Sequence, residues 1–209
     1  MTGVQTCALP IFVVSAAESL GVRGLACFVQ ASARGILIDP GLALGYRREG
    51  LLPHPLQVAA GEEARKDVLN HLPAVSDLVI SHFHGDHVPL SGGNPFQMPL
   101  ESFTPLMLSQ VEYWVHGVPE ENRRGFKRYQ DLCDMAGCSI LPCDGLTNEA
   151  ISFSEPVPHG EPGSYTGTVM MTRIEEGHQV FVHASDIQLL ADEAVGMILE
   201  WDPDIVIAS

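Results

Sequence analysis

The stretch Asp77-Leu-Val-Ile-Ser81, followed at once by His82-Phe83-His84-Gly85-Asp86-His87, joins a short apolar run to three histidines and an aspartate within six residues. Residues 77–81 have the length and apolar content of a buried strand. Straight after a strand, residues two apart project to the same side, so His82 and His84 can converge on one point. Gly85 lets the chain turn tightly there. Asp86 and His87 leave that turn in another direction, placed to hold a second ion. Imidazole and carboxylate at this spacing are borderline-soft ligands, suited to Zn2+ first and to Mn2+ or Fe2+ as rivals. The chain has nine histidines in 209 residues, so three in six positions is not the pattern of a solvated polar loop.

Outward from this segment, period and punctuation alternate between strand and helix. Residues 26–30 and 35–39 read as two strands joined by a turn at 32–34, the second closed by Asp39-Pro40-Gly41. A loop rich in Gly, Pro and Arg follows to residue 55. Leu56, Ala60, Ala64, Val68 and Leu72 recur every four residues and predict an amphipathic helix over 56–72. Residues 88–105 carry repeated Pro and Gly and predict a long loop or lid. Phe126, Tyr129, Cys133 and Ala136 mark a second helix. Strands are expected at 139–142, 167–174 and 179–183, with a last helix through Leu190, Ala194, Met197, Ile198 and Trp201. There is no internal repeat or linker, so residues 12–209 form one domain.

The segment resembles the HxHxDH signature of the metallo-β-lactamase superfamily, and two later features stand in the order that superfamily requires. His159, in Pro156-Val-Pro-His-Gly160, resembles the third histidine of the first metal site. Asp186, which ends Val180-Phe-Val-His-Ala-Ser-Asp186, resembles the aspartate that bridges both metals, and Asp39 resembles the early aspartate that braces the site. More narrowly, Glu18–Arg23, Ile38–Gly41, Pro156–Gly160 and Ala184–Gln188 are similar to an uncharacterised prokaryotic subfamily of predicted metal-dependent hydrolases. The resemblance implies an αββα sandwich of two mixed sheets flanked by helices, with the metals at one sheet edge. It implies His82, His84 and His159 on one zinc ion and Asp86, His87 and Asp186 on the other, the two about 3.5–4 Å apart and sharing a hydroxide as nucleophile. Asp86 would also orient that hydroxide, with Asp39 in a supporting catalytic role. The superfamily's final histidine would lie beyond residue 209. His183, three residues before Asp186, faces away from the metals or lines the wall, where it or the 88–105 loop could assist the leaving group. His54, His71, His116 and His178 are solvated or structural.

Composition narrows the function. Eleven Lys and Arg against 26 Asp and Glu give a formal net charge of −15, which disfavours tight binding to bulk nucleic acid or a membrane surface. Bound divalent cations would reverse that sign locally. No run reaches the ~18 apolar residues of a membrane span. The five cysteines (Cys7, Cys27, Cys133, Cys138 and Cys143) contain no CxxC pair and are expected to be reduced, mostly buried thiols in a cytoplasmic protein. Residues 1–11 resemble the in-frame translation of a short-read sequencing adapter rather than a signal peptide, since the first basic residue is Arg23. The end, Asp204-Ile-Val-Ile-Ala-Ser209, reads as a strand cut short.

The leading expectation is therefore a metal-dependent hydrolase acting on a small ester, thioester, lactone or phosphodiester. A nuclease or phosphodiesterase of the same superfamily, a non-hydrolytic metal or redox protein and an inactive metal-binding fragment are the alternatives. Arg23, Arg47 and Arg48 could clamp an anion, against the reading as a solvated loop. Arg123-Arg-Gly-Phe-Lys-Arg128, the basic cluster of the chain, reads as an exposed helix face. The sequence assigns no oligomeric state.

Overall fold

The computed structural model describes residues 11–47, 49–104, 111–148 and 150–209. One sheet holds, in spatial order, β1 (Ile11–Val14), β2 (Cys27–Ala31), β3 (Arg34–Ile38), β4 (Asp77–Ile80) and β5 (Glu112–Val115). The first three form an antiparallel meander, while β3, β4 and β5 run parallel. Parallel neighbours need a crossover, and helix α1 (Pro55–His71) supplies the one between β3 and β4. Helix α2 (Arg123–Ala136) follows β5. The strands β6 (Thr147–Asn148), β7 (Ile151–Phe153), β10 (Thr172–Glu176), β11 (Gln179–His183) and β12 (Ile205–Ile207) build a second sheet in the order 12-11-10-7-6. Helix α3 (Asp192–Trp201) crosses from β11 to its parallel neighbour β12. Between β7 and β10, β8 (Val157–Pro158) and β9 (Thr168–Val169) pair as a separate ribbon.

Side-chain alternation along the strands sorts the apolar residues into three cores. Leu37 of β3 and Leu78 and Ile80 of β4 face Ala64 and Val68 of α1 and Leu132 of α2. Ile36, Ile38 and Val79 point the other way, and meet Ile151, Phe153, Ile174 and Phe181 of the second sheet. On that sheet's outer side Val182 and Ala184 join Ala194 and Ile198 of α3. The result is the αββα sandwich expected from the sequence. Full burial of each such aliphatic or aromatic side chain contributes about 1.5–3 kcal/mol, so the layers are held mainly by this burial.

Local chemistry sets the ends of the helices. Pro55 occupies the first turn of α1, where its missing N–H costs nothing, and His54 caps it by accepting from the Leu56 N–H at 3.2 Å. Asn122 caps α2 by accepting from the Gly125 N–H at 3.1 Å, and Gly137 ends it with a left-handed φ of 69°. Leu56 is exposed, so the buried stripe of α1 begins at Gly61 and continues through Ala64 and Val68.

Several elements differ from the sequence expectation. Residues 139–142 make only a bridge from Pro142 to Val115, because proline has no N–H with which to extend a ladder. The strand expected at 167–174 is broken between β9 and β10. There the Met170 N–H donates across to the Ser81 carbonyl at 2.9 Å and ties the two sheets together next to the histidines. Residues 88–104 are no lid. Val88, Met98 and Phe103 are fully buried in the α1 side of the core, and Arg65 donates to the Pro95 and Gln97 carbonyls. Pro105, the rest of that loop's predicted length, lies outside the described residues, as do Arg48 and residues 1–10 with Cys7. Ile11, set aside with the terminus, pairs with Gln30 in β1. The remaining cysteines are free thiols: Cys27 and Cys143 are buried, Cys133 half-buried and Cys138 exposed. Among the described residues no helix is long and apolar enough to cross a membrane.

Candidate metal centre

The carboxyl ends of parallel strands form a crevice in open sheets, and here they deliver Asp39 after β3, Ser81 and His82 after β4 and His116 after β5. Opposite them, the second sheet brings Ser185 and Asp186 from the end of β11, and the β8–β9 ribbon brings His159. Ring nitrogens of His82, His84 and His159 all lie within 4.8 Å of one another. The ring centroids stand 4.5 Å apart for His82–His84, 4.8 Å for His84–His159 and 5.1 Å for His82–His159. His82 and His159 are buried, and His84 is half-exposed at the mouth.

The hydrogen bonds fix which nitrogens are available. Asp39 is fully buried and accepts from the Ser81 N–H at 2.7 Å, the Ser81 hydroxyl and the Nδ1–H of His87 at 2.9 Å. Ser81 has one hydroxyl proton, and giving it to the carboxylate leaves its oxygen as an acceptor. His82 Nδ1, 3.0 Å from that oxygen, is then the donor. Both His82 and His87 thus carry a proton on Nδ1, and their Nε2 atoms face the interior of the site. His82 Nε2, both ring nitrogens of His159 and Asp186 Oδ1 are buried with no hydrogen-bond partner. Buried polar atoms seldom stay unsatisfied, and a set of imidazole nitrogens and a carboxylate in this state fits a divalent cation such as Zn2+.

Asp186 lies where two such positions would meet. Its Oδ2 is 3.2 Å from His87 Nε2 and 3.4 Å from His159 Nε2, though neither contact has the alignment of a hydrogen bond. Burial pushes the Asp186 carboxyl up, yet the neighbouring rings of His159 and His87 outweigh it and hold it well below the usual carboxylate range. Burial likewise pushes His87 down, but Asp186 and Asp39 on either side outweigh that and raise it to about 10. The two carboxylates therefore call for positive charge between them. His84 moves the other way, lowered to about 4 by burial and by His159, so its ring is neutral at physiological pH.

Asp39, His82 and His87 form a second close group. The oxygens of Asp39 are already engaged by Ser81 and His87, so this aspartate orients the rings rather than offering itself to an ion. Asp86 is not part of either group. It lies beside the motif in an ion pair with Arg23 at 3.1 Å.

Local backbone geometry serves the same end. Asp39 and Ser185 sit at φ 47° and 56°, in the left-handed region that non-glycine residues avoid. Such strain costs about 1–3 kcal/mol per residue and tends to gather at functional sites. Gly41 makes the motif's position possible. A Cβ there would lie 2.4 Å from the His87 carbonyl carbon and 2.4 Å from the Val88 nitrogen.

The other histidines have their own partners. His183 is fully buried and donates from Nε2 to the Leu25 carbonyl at 2.9 Å. His54 caps α1, and His71 stacks on Phe28 at 4.4 Å. His178 is exposed. His116 is buried between Asp144 at 2.5 Å and Thr168 at 3.0 Å, and so braces the ribbon that carries His159. Arg47 is exposed, and Arg48 lies outside the described residues. Three participants escaped sequence reading, Ser81, Ser185 and Asp144, while Arg128, read with the basic helix face, donates from Nη1 to the Phe83 carbonyl at 2.7 Å. Only Ser81, adjacent to the motif, had a signal in the sequence.

No protein-family model matches the sequence. A UPF0282 protein of Methanosarcina mazei is 45% identical over 192 residues, covering 92% of this chain and 63% of that protein. A UPF0282 protein of Thermococcus onnurineus is 36% identical over 202 residues, covering 92% of this chain and 67% of that one. The chain thus spans about two thirds of the length of these relatives. Among solved structures, a Thermotoga maritima protein assigned to the metallo-β-lactamases superposes with a TM-score of 0.50 at 11% identity, over 92% of this chain and 91% of that one. A possible metal-dependent hydrolase from Veillonella parvula gives a TM-score of 0.50 at 15% identity, over 88% and 68%. At such identities the likeness is one of fold, and the fold is that of the metallo-β-lactamases.

Proposed function

The chain belongs to the UPF0282 family, and from that premise we propose that it is a metal-dependent hydrolase of the metallo-β-lactamase superfamily, acting on a small-molecule ester, thioester, lactone or phosphodiester. The observation that carries this reading is the buried convergence of His82, His84 and His159 on ring nitrogens without partners, beside an aspartate shared with His87. His82, His84 and His159 would hold one cation and His87 and Asp186 the other, which Asp86 would join on release from its pair with Arg23. Zinc, or manganese or iron in its place, would supply Lewis acidity and a water acidic enough to ionise near neutral pH.

The chain's own residues do the rest. Asp39 and Ser81 hold the His82 and His87 rings in the tautomer that aims Nε2 inward. His116 and Asp144 fix Thr168 and with it the ribbon ending at His159. Asp86 stands at the mouth, where it can orient the attacking water once Arg23 turns to the substrate.

The test is elemental analysis of the chain purified without chelator, beside His84→Ala. About one or two equivalents of zinc, manganese or iron, lost in the variant, would support the reading. A folded sample with no bound metal would sink it. Turnover of p-nitrophenyl esters and phosphodiesters, measured on the same samples, tests hydrolysis separately.

A further inference from the structure

A cavity of about 390 Å³ opens beside the candidate metal centre, with His84 and Asp86 on one side and Arg23, Arg124 and Arg128 among its other walls. Tyr165, fully exposed on the loop after His159, also lines it. A second hollow of about 580 Å³ shares Arg124 and Arg128 and adds Arg123 and Lys127. Four of the chain's eleven Lys and Arg therefore stand within six residues of α2, on a molecule of formal net charge −15. The sequence reads this tract as a solvated helix face. The structure instead turns Arg128 onto the histidine motif, where it holds the Phe83 carbonyl. Gly85 makes room for it, since a Cβ there would lie 3.1 Å from Arg128 Nη2.

Protein carboxylates answer only part of this charge. Arg23 is paired with Asp86, and Lys127 with Asp131 on its own helix. Arg124 has no ion-pair partner among the described residues and is exposed. Burial pushes the Arg128 guanidinium down from its ordinary value; Asp86 offsets part of this and nearby Arg124 adds to it. An anion between Arg124 and Arg128 would relieve that crowding.

We infer that this cavity receives the phosphate group of a small phosphorylated substrate, held by Arg124 and Arg128 with Arg23 as a further contact, while the rest of the molecule reaches the histidines. This rests on the hydrolase reading and names its substrate class. A carboxylate is satisfied by a single guanidinium fork, whereas three forks suit the several oxygens of a phosphate. Asn122 and Gly125, at the amino end of the 14-residue helix α2, also line the cavity; the Gly125 N–H is taken by Asn122 Oδ1, so this end contributes the positive pole of the helix dipole. The volume lies within the roughly 300–1,000 Å³ usual for small-molecule sites. The overall negative charge opposes a long polyanion such as RNA.

The test titrates the full chain, stripped with EDTA and dialysed, with inorganic phosphate and with acetate by calorimetry. Arg124→Ala is compared with wild type because Arg124 is exposed and has no ion-pair partner among the described residues, and Lys66→Ala, on the exposed side of α1, serves as the control for lost surface charge. We expect phosphate to bind the stripped protein, Arg124→Ala to weaken it about tenfold, the loss of one charge-assisted contact, and Lys66→Ala to leave it unchanged. Acetate should bind more weakly than phosphate. No binding of phosphate to wild type, wild-type binding by Arg124→Ala, equal loss in Lys66→Ala, or acetate binding as tightly as phosphate would each overturn the inference. The titration contains no metal, so a chain that binds zinc but not phosphate keeps the hydrolase reading and loses this one.

Discussion

Replacing Asp39 by asparagine changes one oxygen to an amino group in a fully buried position, and the hydrogen-bond chain predicts a consequence larger than that change suggests. The remaining oxygen can still accept from the Ser81 N–H. The new NH2 faces the Ser81 hydroxyl and His87 Nδ1, and it can only donate. Ser81 must then accept from it, and its own proton is released to Ser185 Oγ or to His82 Nδ1, the second of which sends the His82 proton to Nε2. His87 must likewise move its proton to Nε2, towards Asp186. One substitution thus turns the lone pair of His87 away from the centre and removes the contact that holds that of His82 inward. Changes in such supporting contacts typically cost about 10–100-fold in metal affinity. With two rings affected the upper end is expected, about 2.7 kcal/mol. Loss of a hydrogen bond to a buried charge costs the fold about 1.5–3 kcal/mol besides. For a chain of this size each kcal/mol lowers Tm by about 2–4 °C. The assay is zinc competition against a chromophoric chelator at neutral pH, with circular dichroism to verify folding. Ser185→Ala, which removes only a 3.4 Å contact to Asp39 and a bond to Ser81 Oγ, should weaken zinc far less. A folded Asp39→Asn protein with wild-type zinc affinity would refute the tautomer argument.

Three further outcomes are expected. Gly41→Ala should destabilise the chain by about 1–3 kcal/mol or more and weaken metal binding with it, because the new methyl meets backbone rather than a yielding side chain; chemical denaturation measures the first and chelator competition the second. Asp144 is pushed up by burial, but the His116 hydrogen bond outweighs this and lowers it below 3.8. A depressed carboxyl contributes stability that is present above its unfolded value and lost as pH falls through its folded value. The Tm difference between wild type and Asp144→Asn should therefore be full above about pH 4 and shrink in stronger acid; a difference independent of pH would contradict it. Among the described cysteines, exposed Cys138 should react first with a thiol reagent and Cys133 more slowly. Cys27, whose thiol is pushed up by burial and by Asp39, and Cys143, pushed to about 12, should react only on unfolding. Peptide mapping after timed labelling gives the order.

The histidine motif and α1 were legible in the sequence because both are local patterns: ligands two residues apart after a strand, and apolar residues four apart. His159 and Asp186 were legible only through resemblance, since nothing local in Pro158-His159-Gly160 says that β8 will carry that ring to His82. The 88–104 stretch is the long loop its composition indicated, and it is no lid for a physical reason. Its prolines and glycines describe backbone punctuation, whereas Val88, Met98 and Phe103 are core residues without period, recognisable only once α1 and β4 define the space they fill. The basic tract of α2 was read as an exposed helix face, and Arg123, Arg124 and Lys127 are exposed; Arg128 is the half-buried exception. A basic helix face looks alike whether or not one of its residues turns inward, and only the approach of Arg128 to the Phe83 carbonyl separates the two.

The brace around Asp39 also constrains the order in which the protein can be built. Ser81 and His87 lie 42 and 48 positions from Asp39, inside one β–α–β unit, whereas Ser185 lies 146 away. Loop-closure cost rises slowly with length, about 0.6 kcal/mol per doubling, so the long closure is not forbidden but deferred. The first half of the brace can close when β3 pairs with β4. The second half needs β11 in place and both sheets docked. A chain emerging from the ribosome would thus hold an exposed half-site for the time it takes to make another hundred residues, and Ser185 and Asp186 would close it in one late step.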